Sequence, residues 1–458
     1  MLQTVNAGRG SSAMDHEGVY RFVTGTRYAD LPPPVQALAR RCLLDLVGTA
    51  AAGLTTDLSR IIRNHAVRAF GAGAGAPSAR LLFDGRSASP LGAALAGGMT
   101  IDSFDAHDGH VLTKGHAGCA VLPGLLALAD AAHGALSGEA FLTALVIGYE
   151  VAIRAGIAQH ATCPDYHTSG AWNALGVVAV AARLQKLDPS VFRHALGIAE
   201  YHGPRSQMMR CIDYPTMLKD GSGWGAMVGL SAADLAADGF TGAPALVVES
   251  EPVRDLWSDL GRRWRMTEMY FKPYPICRWA QPAVEAALTL RRTHGVTPEA
   301  VAAVEVETFH EAVRLDQHRP ATTEEAQYSL PFPVAAAIVA GRLAPGDISG
   351  AALKDPAILA MSDRITLREA DDLNARFPAE RFARVTFRLT DGRVLKSDTT
   401  PARGDAERPL SDEEIRQKYV TVASPTLGDR TPAIARAIDD LAGHADVREL
   451  LGLLLEAP

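Results

Sequence analysis

From Val35 to His202 the chain repeats one pattern: apolar residues three and four apart, then a short turn marked by Pro, Gly or Ser. Over 35–53, Val35, Leu38, Ala39, Cys42, Leu43, Leu46 and Val47 fall on one helical face. The same spacing predicts helices at 17–30, 59–70, 89–99, 138–159, 171–184 and 188–202. Aromatic residues make up only 6% of the chain, and Ala and Gly are abundant, so these helices can approach closely. Helix after helix on short connections buries its apolar stripes only against other helices. The first two-thirds of the chain is therefore expected to be all-α.

The pattern changes after Thr267. Residues 301–309 alternate as a strand does. Residues 384–390 and 393–396 flank Asp391 and Gly392 as a hairpin flanks its turn. Helices are expected at 283–293 and 331–340, from Leu410 onward, and over 433–455, and a short strand at Arg80–Phe83. The expected fold is mainly α, a large all-helical domain with a smaller α+β domain. A flexible tail over 1–15 precedes the helical domain, 16–265. The α+β domain spans 266–398, and helices over 399–458 return to the helical domain. The junction of two such domains is a usual place for a ligand.

Charge and cysteine content narrow the partners. A net charge of −7 leaves no basic footprint, so no nucleic-acid partner is expected. An anionic ligand must instead meet local cations. The 5 cysteines are scattered and never form CxxC, which argues against a disulfide framework or a zinc site and fits a reducing cytoplasm. Asp, Arg or Gly interrupts every apolar run of membrane-spanning length, so no membrane segment is expected. The Gly-rich stretch 71–77 lacks the rest of a phosphate loop. No GxSxG, Walker or dinucleotide fingerprint occurs elsewhere.

Four stretches carry groups suited to chemistry. Between two apolar runs lie Asp102, Asp105, His107, Asp108, His110, Lys114 and His116. Titratable residues between buried elements point to function, because burying them unpaired is costly. A metal loop is one reading, though the spacing resembles a metal site only loosely and lacks HExxH or HxH. Acid–base work by one or two histidines is another, since imidazole titrates near neutral pH. His107 and Lys114 are expected to be solvated loop charges, and Gly109, Gly115 and Gly118 to let the backbone turn tightly. His167 precedes Thr168 and Ser169, so it is either functional or simply lies beside a helix cap. Lys219 sits before a Gly- and Ser-rich helix start, where an ammonium and free N–H groups suit an anion. Lys272 and Arg278 stand among prolines and aromatics at the domain junction. They suit gripping a carboxylate, or belong to a stiff linker.

These pieces together resemble the MmgE/PrpD family, which includes 2-methylcitrate dehydratase, cis-aconitate decarboxylase and iminodisuccinate epimerase. The matching segments are 102–105 with 115–123, 166–170, 218–224, 239–244, 271–277, 326–332 and 403–419, in family order over nearly the whole chain. The resemblance implies a large helical domain closed by an α+β lid, as a homodimer. It implies Asp102, His116, His167, Lys219 and Lys272 around one pocket, with neither metal nor organic cofactor. His116 would lead the acid–base work, and the two lysines would hold carboxylates or donate a proton. Asp105, His110, Tyr274, Arg278 and Phe332 are the expected substrate contacts. Phe332 stands where the decarboxylase has a tyrosine, and Asp220–Ser222 depart from the family's common Leu-His.

The expected function is a cofactor-independent lyase or isomerase that removes a proton next to a carboxylate of a small di- or tricarboxylate. Dehydration, decarboxylation and epimerisation are the outcomes in view, and the departures keep an iminodisuccinate-type epimerase among them. A helical protein that binds an organic anion without turnover is the alternative from another class, and a metallohydrolase a third.

Overall fold

The computed structural model describes residues 14–132 and 134–458. Of the expected tail, residues 1–13 lie outside the described residues, while residues 14 and 15 already belong to the first helix, Met14–Gly25. That helix ends earlier than the pattern suggested, and a single 3-10 turn, Tyr28–Asp30, follows it.

The protein is mainly α with a smaller α+β part. Helices Pro33–Gly53, Pro90–Asp102, Gly118–Ala131, Gly138–Thr162, Gly170–Gln185 and Ser222–Ala237 pack on one another. Their starts are set by local chemistry. The hydroxyls of Thr56, Ser89 and Ser137 accept hydrogen bonds from the N–H groups of Ser59, Gly92 and Ala140, each cap contributing about 1 kcal/mol. Small residues let the helices meet almost backbone to backbone. A Cβ on Gly98 would lie 2.5 Å from Gly223 Cα, so helix Pro90–Asp102 crosses helix Ser222–Ala237 with Asp102 beside the start of the second helix.

Helix Gly138–Thr162 is, among the described residues, the one long and apolar enough to cross a membrane. Its apolar window is 89% buried inside the protein, and it serves as the central core helix. It carries a fully buried Arg154, which pairs with Glu150 and with Asp259.

The α+β part is built on a sheet in the spatial order Ile365–Glu369, Val301–Thr308, Phe382–Leu389, Val394–Lys396. The first pairing is parallel and the others antiparallel, with Val304 opposite Ile365 and Phe387. Helices Gln281–His294 and Pro331–Ala340 cover it. The strand expected at Arg80–Phe83 is only two residues, Ala79–Arg80, paired with Ser87–Ala88. The helix expected over 433–455 breaks into Arg430–Asp439, a short turn and Arg448–Leu455.

Apolar side chains sort into two large clusters. One runs from Val19 to Phe271 and takes in Leu410–Leu455. The other runs from Ile276 to Leu389, with Ala52, Phe104, Ala106, Met208, Cys211 and Ile212 contributed from the helical part and Val422 from helix Asp412–Leu427. The stretch holding Asp102 to His116 is therefore wedged between the two.

Candidate active site

Residues 101–110 are all buried. A loop survives in an interior only if its polar groups find partners there. Gly109 and His110 pair antiparallel with Tyr270 and Met269, which brings Lys272 to the loop. None of the glycines at 109, 115 and 118 has a positive φ. Their use is close approach, not turning: a Cβ on Gly109 would run into the Tyr270 hydroxyl.

The Lys272 ammonium donates to Asp105 Oδ1. Gln327, at the end of helix Thr323–Gln327, ties the two parts of the molecule together. Its Oε1 accepts from Asp105 N at 2.8 Å and from Lys219 Nζ at 2.7 Å, and its Nε2 donates to Ser103 O at 3.0 Å. Lys219 has φ 49°, a left-handed backbone that a lysine adopts only when its surroundings hold it there. The Gln327 bond and the Tyr328 ring, 4.8 Å from Nζ, supply that hold.

His116 is oriented by its backbone neighbours. Its Nδ1 lies 2.5 Å from the Asp108 carbonyl oxygen. A carbonyl only accepts, so Nδ1 carries the hydrogen and Nε2 of the neutral ring keeps a lone pair. That lone pair faces Asp105 Oδ1 at 3.7 Å and Asp220 Oδ2 at 3.8 Å. Asp220 Oδ2 accepts from Ser169 Oγ at 2.7 Å, and the same Oγ accepts from His116 N at 2.9 Å. His107 lies edge-on to His116 with ring centroids 4.1 Å apart, and its Nε2 is 3.3 Å from Asp102 Oδ1.

Burial sets the protonation states, modified by the neighbours. It pushes the Asp220 carboxyl up to about 7, helped by the negative charge of Asp102. It pushes Asp102 up to about 6 against the pull of Lys219. At Asp105 burial acts upward too, but Lys272, with His116 and Lys219, outweighs it and holds the group ionised far into acid. Burial, with Lys272 close by, lowers His107 to about 3. Burial, His107 and Lys272 hold His116 well below its ordinary value. Both imidazoles are neutral at pH 7.

The ligand atoms of Asp105, His107 and His116 lie within 4.8 Å of one another. That is a donor set suited to a metal, and the loop spacing did not reveal it. The Lys272 ammonium already sits on the Asp105 oxygen, so a cation is built into the chain at this place.

Two family models cover most of the chain: the MmgE/PrpD N-terminal domain matches residues 18–255, and the MmgE/PrpD C-terminal domain matches 274–441. The chain belongs to the MmgE/PrpD family. Similar proteins include the cis-aconitate decarboxylase-like protein oryM of Aspergillus oryzae, 24% identical over 94% of this chain and 95% of that protein. Human cis-aconitate decarboxylase is also 24% identical, over 94% of this chain and 92% of that enzyme.

In this MmgE/PrpD chain, Asp102, Asp105, His116, Lys219 and Lys272 form one cluster, each no more than 6% exposed. His167 stands apart from it. Its ring is 5.9 Å from that of His160, and its N–H donates to His160 Nε2. His110 Nε2 is directed to Glu268, at 3.6 Å. Arg278 donates to Arg403 O and pairs with Asp405, while the Tyr274 hydroxyl donates to Glu285. Phe332 is fully buried in the apolar core of the α+β part. None of these five has a described hydrogen bond or ion pair with the cluster.

One expectation is corrected outright. His107 is not a solvated loop charge: it is fully buried against His116, because the loop runs through the interior. Lys114 is exposed as expected, over the Tyr166 ring. Sequence reasoning missed Asp220 and Gln327. Asp220 stood out in the sequence only as a departure from the family pattern, and nothing local distinguished Gln327.

Proposed function

We propose that this protein is a lyase or isomerase that removes a proton next to a carboxylate of a small di- or tricarboxylate, using its own side chains. The observation that carries this reading is the His116 Nε2 lone pair, fixed by the Nδ1 bond to Asp108 O and placed beside the Lys272–Asp105 pair. The cis-aconitate decarboxylase names of the relatives support a tricarboxylate as the substrate class.

The steps follow from the charges. The substrate's carboxylates meet Lys272 and Lys219, whose ammonium groups lower the energy of the negative charge that develops when the C–H bond breaks. His116 Nε2 takes that proton. Asp220, protonated below about pH 7, stands ready to return one. If it protonates a leaving hydroxyl, water departs and a double bond forms. If another group protonates the opposite face of the same carbon, the product is the epimer. Loss of carbon dioxide requires instead that a C–C bond break and that its carbon take the proton.

A second reading, epimerase in place of lyase, draws on one observation: Phe332 puts no hydroxyl where the decarboxylase has a tyrosine. We propose a homodimer on the family resemblance and a cytoplasmic location on the scattered cysteines.

The test is incubation of the purified protein with cis-aconitate, 2-methylcitrate and iminodisuccinate in deuterium oxide, followed by proton NMR. The expected result is deuterium incorporation or product with at least one of them, abolished by His116→Gln. No exchange and no product from any polycarboxylate overturns the reading.

A further inference from the structure

The side chain of Gln327 is fully buried and makes four hydrogen bonds. The two groups on its Oε1, Asp105 N and Lys219 Nζ, are both donors. The two on its Nε2, Ser103 O at 3.0 Å and Thr323 Oγ1 at 3.2 Å, accept. That surrounding admits an amide in one orientation only. A carboxylate has no hydrogen for Ser103 O. An apolar side chain leaves Asp105 N and the Lys219 ammonium without this acceptor.

The two lysines of the cluster are therefore held differently. Lys272 donates to the Asp105 carboxylate, so its charge is already met. Lys219 is held by a neutral oxygen, and among the described residues no carboxylate lies within ion-pair distance of it. The Asp102 carboxyl feels its charge without pairing with it. The left-handed backbone, φ 49°, sets where the Lys219 side chain starts, and the Tyr328 ring lies 4.8 Å from its Nζ. The ammonium is thus fixed in place while its charge is left available. Lys219 is also part of the wall of a cavity of about 350 Å³, with Thr168, Arg210, Thr216 and Trp224. Among the described residues no carboxylate lines that cavity, so the unmatched cation of the cluster borders a space free of fixed negative charge.

We propose that Gln327 is a positioning residue for carboxylate binding. Its amide oxygen fixes the Lys219 ammonium without neutralising it, so that Lys219, more than the paired Lys272, supplies the charge that anchors a carboxylate of the substrate. The inference rests on the polycarboxylate reading above and divides the work between the two lysines of that reading.

The experiment is isothermal titration of the full-length protein with tricarballylate, a tricarboxylate with neither hydroxyl nor carbon–carbon double bond, alongside kinetics on whichever substrate is turned over. Gln327→Glu keeps an acceptor for Asp105 N and Lys219 Nζ but sets a negative charge on the ammonium. Gln327→Met keeps the length and loses all four bonds. If Gln327 did no more than join the two parts of the molecule, Gln327→Met would be the weaker binder. The positioning role predicts the reverse. Gln327→Glu should weaken tricarballylate binding by about 10- to 100-fold, the range for a lost hydrogen bond to a charged group, and raise KM more than it lowers kcat. Gln327→Met should be the less stable of the two in urea, yet bind within about 10-fold of wild type and lose about 100-fold in kcat, the scale of a misplaced group. Near-UV circular dichroism checks that both variants fold. If one does not, the other carries the test, Gln327→Glu by its affinity and Gln327→Met by its kcat. Wild-type binding and turnover together with wild-type affinity in Gln327→Glu, wild-type kcat in Gln327→Met, or Gln327→Met as the weaker binder overturns the role of Gln327 and leaves the reaction standing. If the wild type neither binds nor turns over any polycarboxylate, the functional reading fails first, and the role of Gln327 with it.

Discussion

Lys418→Met is the perturbation whose consequence the structure fixes best. Lys418, on helix Asp412–Leu427, donates to Asp45 Oδ1 and to Ala106 O, both at 2.5 Å. Lys418 is 8% exposed and Asp45 2%. The other Asp45 oxygen has no partner, and burial already pushes that carboxyl upward against the pull of Lys418. Methionine keeps the length and apolar character of the stem but leaves a buried carboxyl uncompensated, at a cost of about 3–5 kcal/mol. Asp45→Asn in the same background removes the stranded charge, so the double variant should be more stable than Lys418→Met alone. Urea unfolding followed by circular dichroism measures all three. The Ala106 carbonyl lies between Asp105 and His107, so the single variant should also slow deuterium exchange under native conditions. A loss below about 1 kcal/mol for Lys418→Met, the level of an ordinary exposed pair, would refute the argument that this pair is buried and uncompensated when broken.

Other expectations follow from the same geometry. Tyr149→Phe removes the 2.6 Å bond from the Tyr149 hydroxyl to Asp108 Oδ2, a loss of about 1–3 kcal/mol in urea unfolding. Because Asp108 O orients His116, it should also lower kcat with little change in KM. The Asp220 carboxyl titrates near 7, so turnover should fall as pH rises through that value and the proton is lost. Asp220→Asn should remove this limb from the pH–rate profile and slow turnover at pH 6 by about 100-fold or more. Dialysis against a chelator should leave deuterium exchange unchanged. Loss of exchange, restored by a divalent metal, would make Asp105, His107 and His116 metal ligands.

Much of the fold was legible because helix periodicity is written locally. The faces of helices Pro33–Gly53, Gly138–Thr162 and Gly170–Gln185 follow from apolar spacing alone. Helix ends were less so. The helix predicted to stop at Met99 runs on to Asp102, because a long-range packing contact, Gly98 on Gly223, holds it in place. Over 433–455 the apolar spacing carries across a real break between Asp439 and Arg448. His107 was misplaced for a physical reason. Loops normally stay at the surface because their backbone polar groups need water. This one is instead satisfied by contacts from distant segments: Gln327, Lys272, Lys418 and the Tyr270 strand. No window of sequence contains those partners. The same holds for Asp220, whose importance comes from facing a histidine over a hundred positions earlier.

The electrostatics of the cluster bear on the role proposed for His116, a base held well below its ordinary pKa. Asp102, Asp105, Asp220, His107, His116, Lys219 and Lys272 are all buried, and an uncompensated charge there would be prohibitive. The protein meets this by fixing one pair, Lys272 with Asp105, and keeping both imidazoles neutral. The Asp102 and Asp220 carboxyls share whatever charge is left, titrating near neutral pH. The Lys219 ammonium remains, bonded among the described residues to the neutral Gln327 oxygen and resting on Tyr328. The resting cluster is therefore close to balanced and has little tendency to take up a proton. A di- or tricarboxylate changes that balance by bringing negative charge against Lys219 and Lys272. Burial is the main cause that depresses His116, but the part due to Lys272 is then offset by the ligand, and the affinity of the imidazole for a proton rises. The lone pair on Nε2 becomes a stronger base only with an anion in place. A neutral ligand of the same shape would leave it weak, so the charge of the substrate, as well as its fit, selects what reacts.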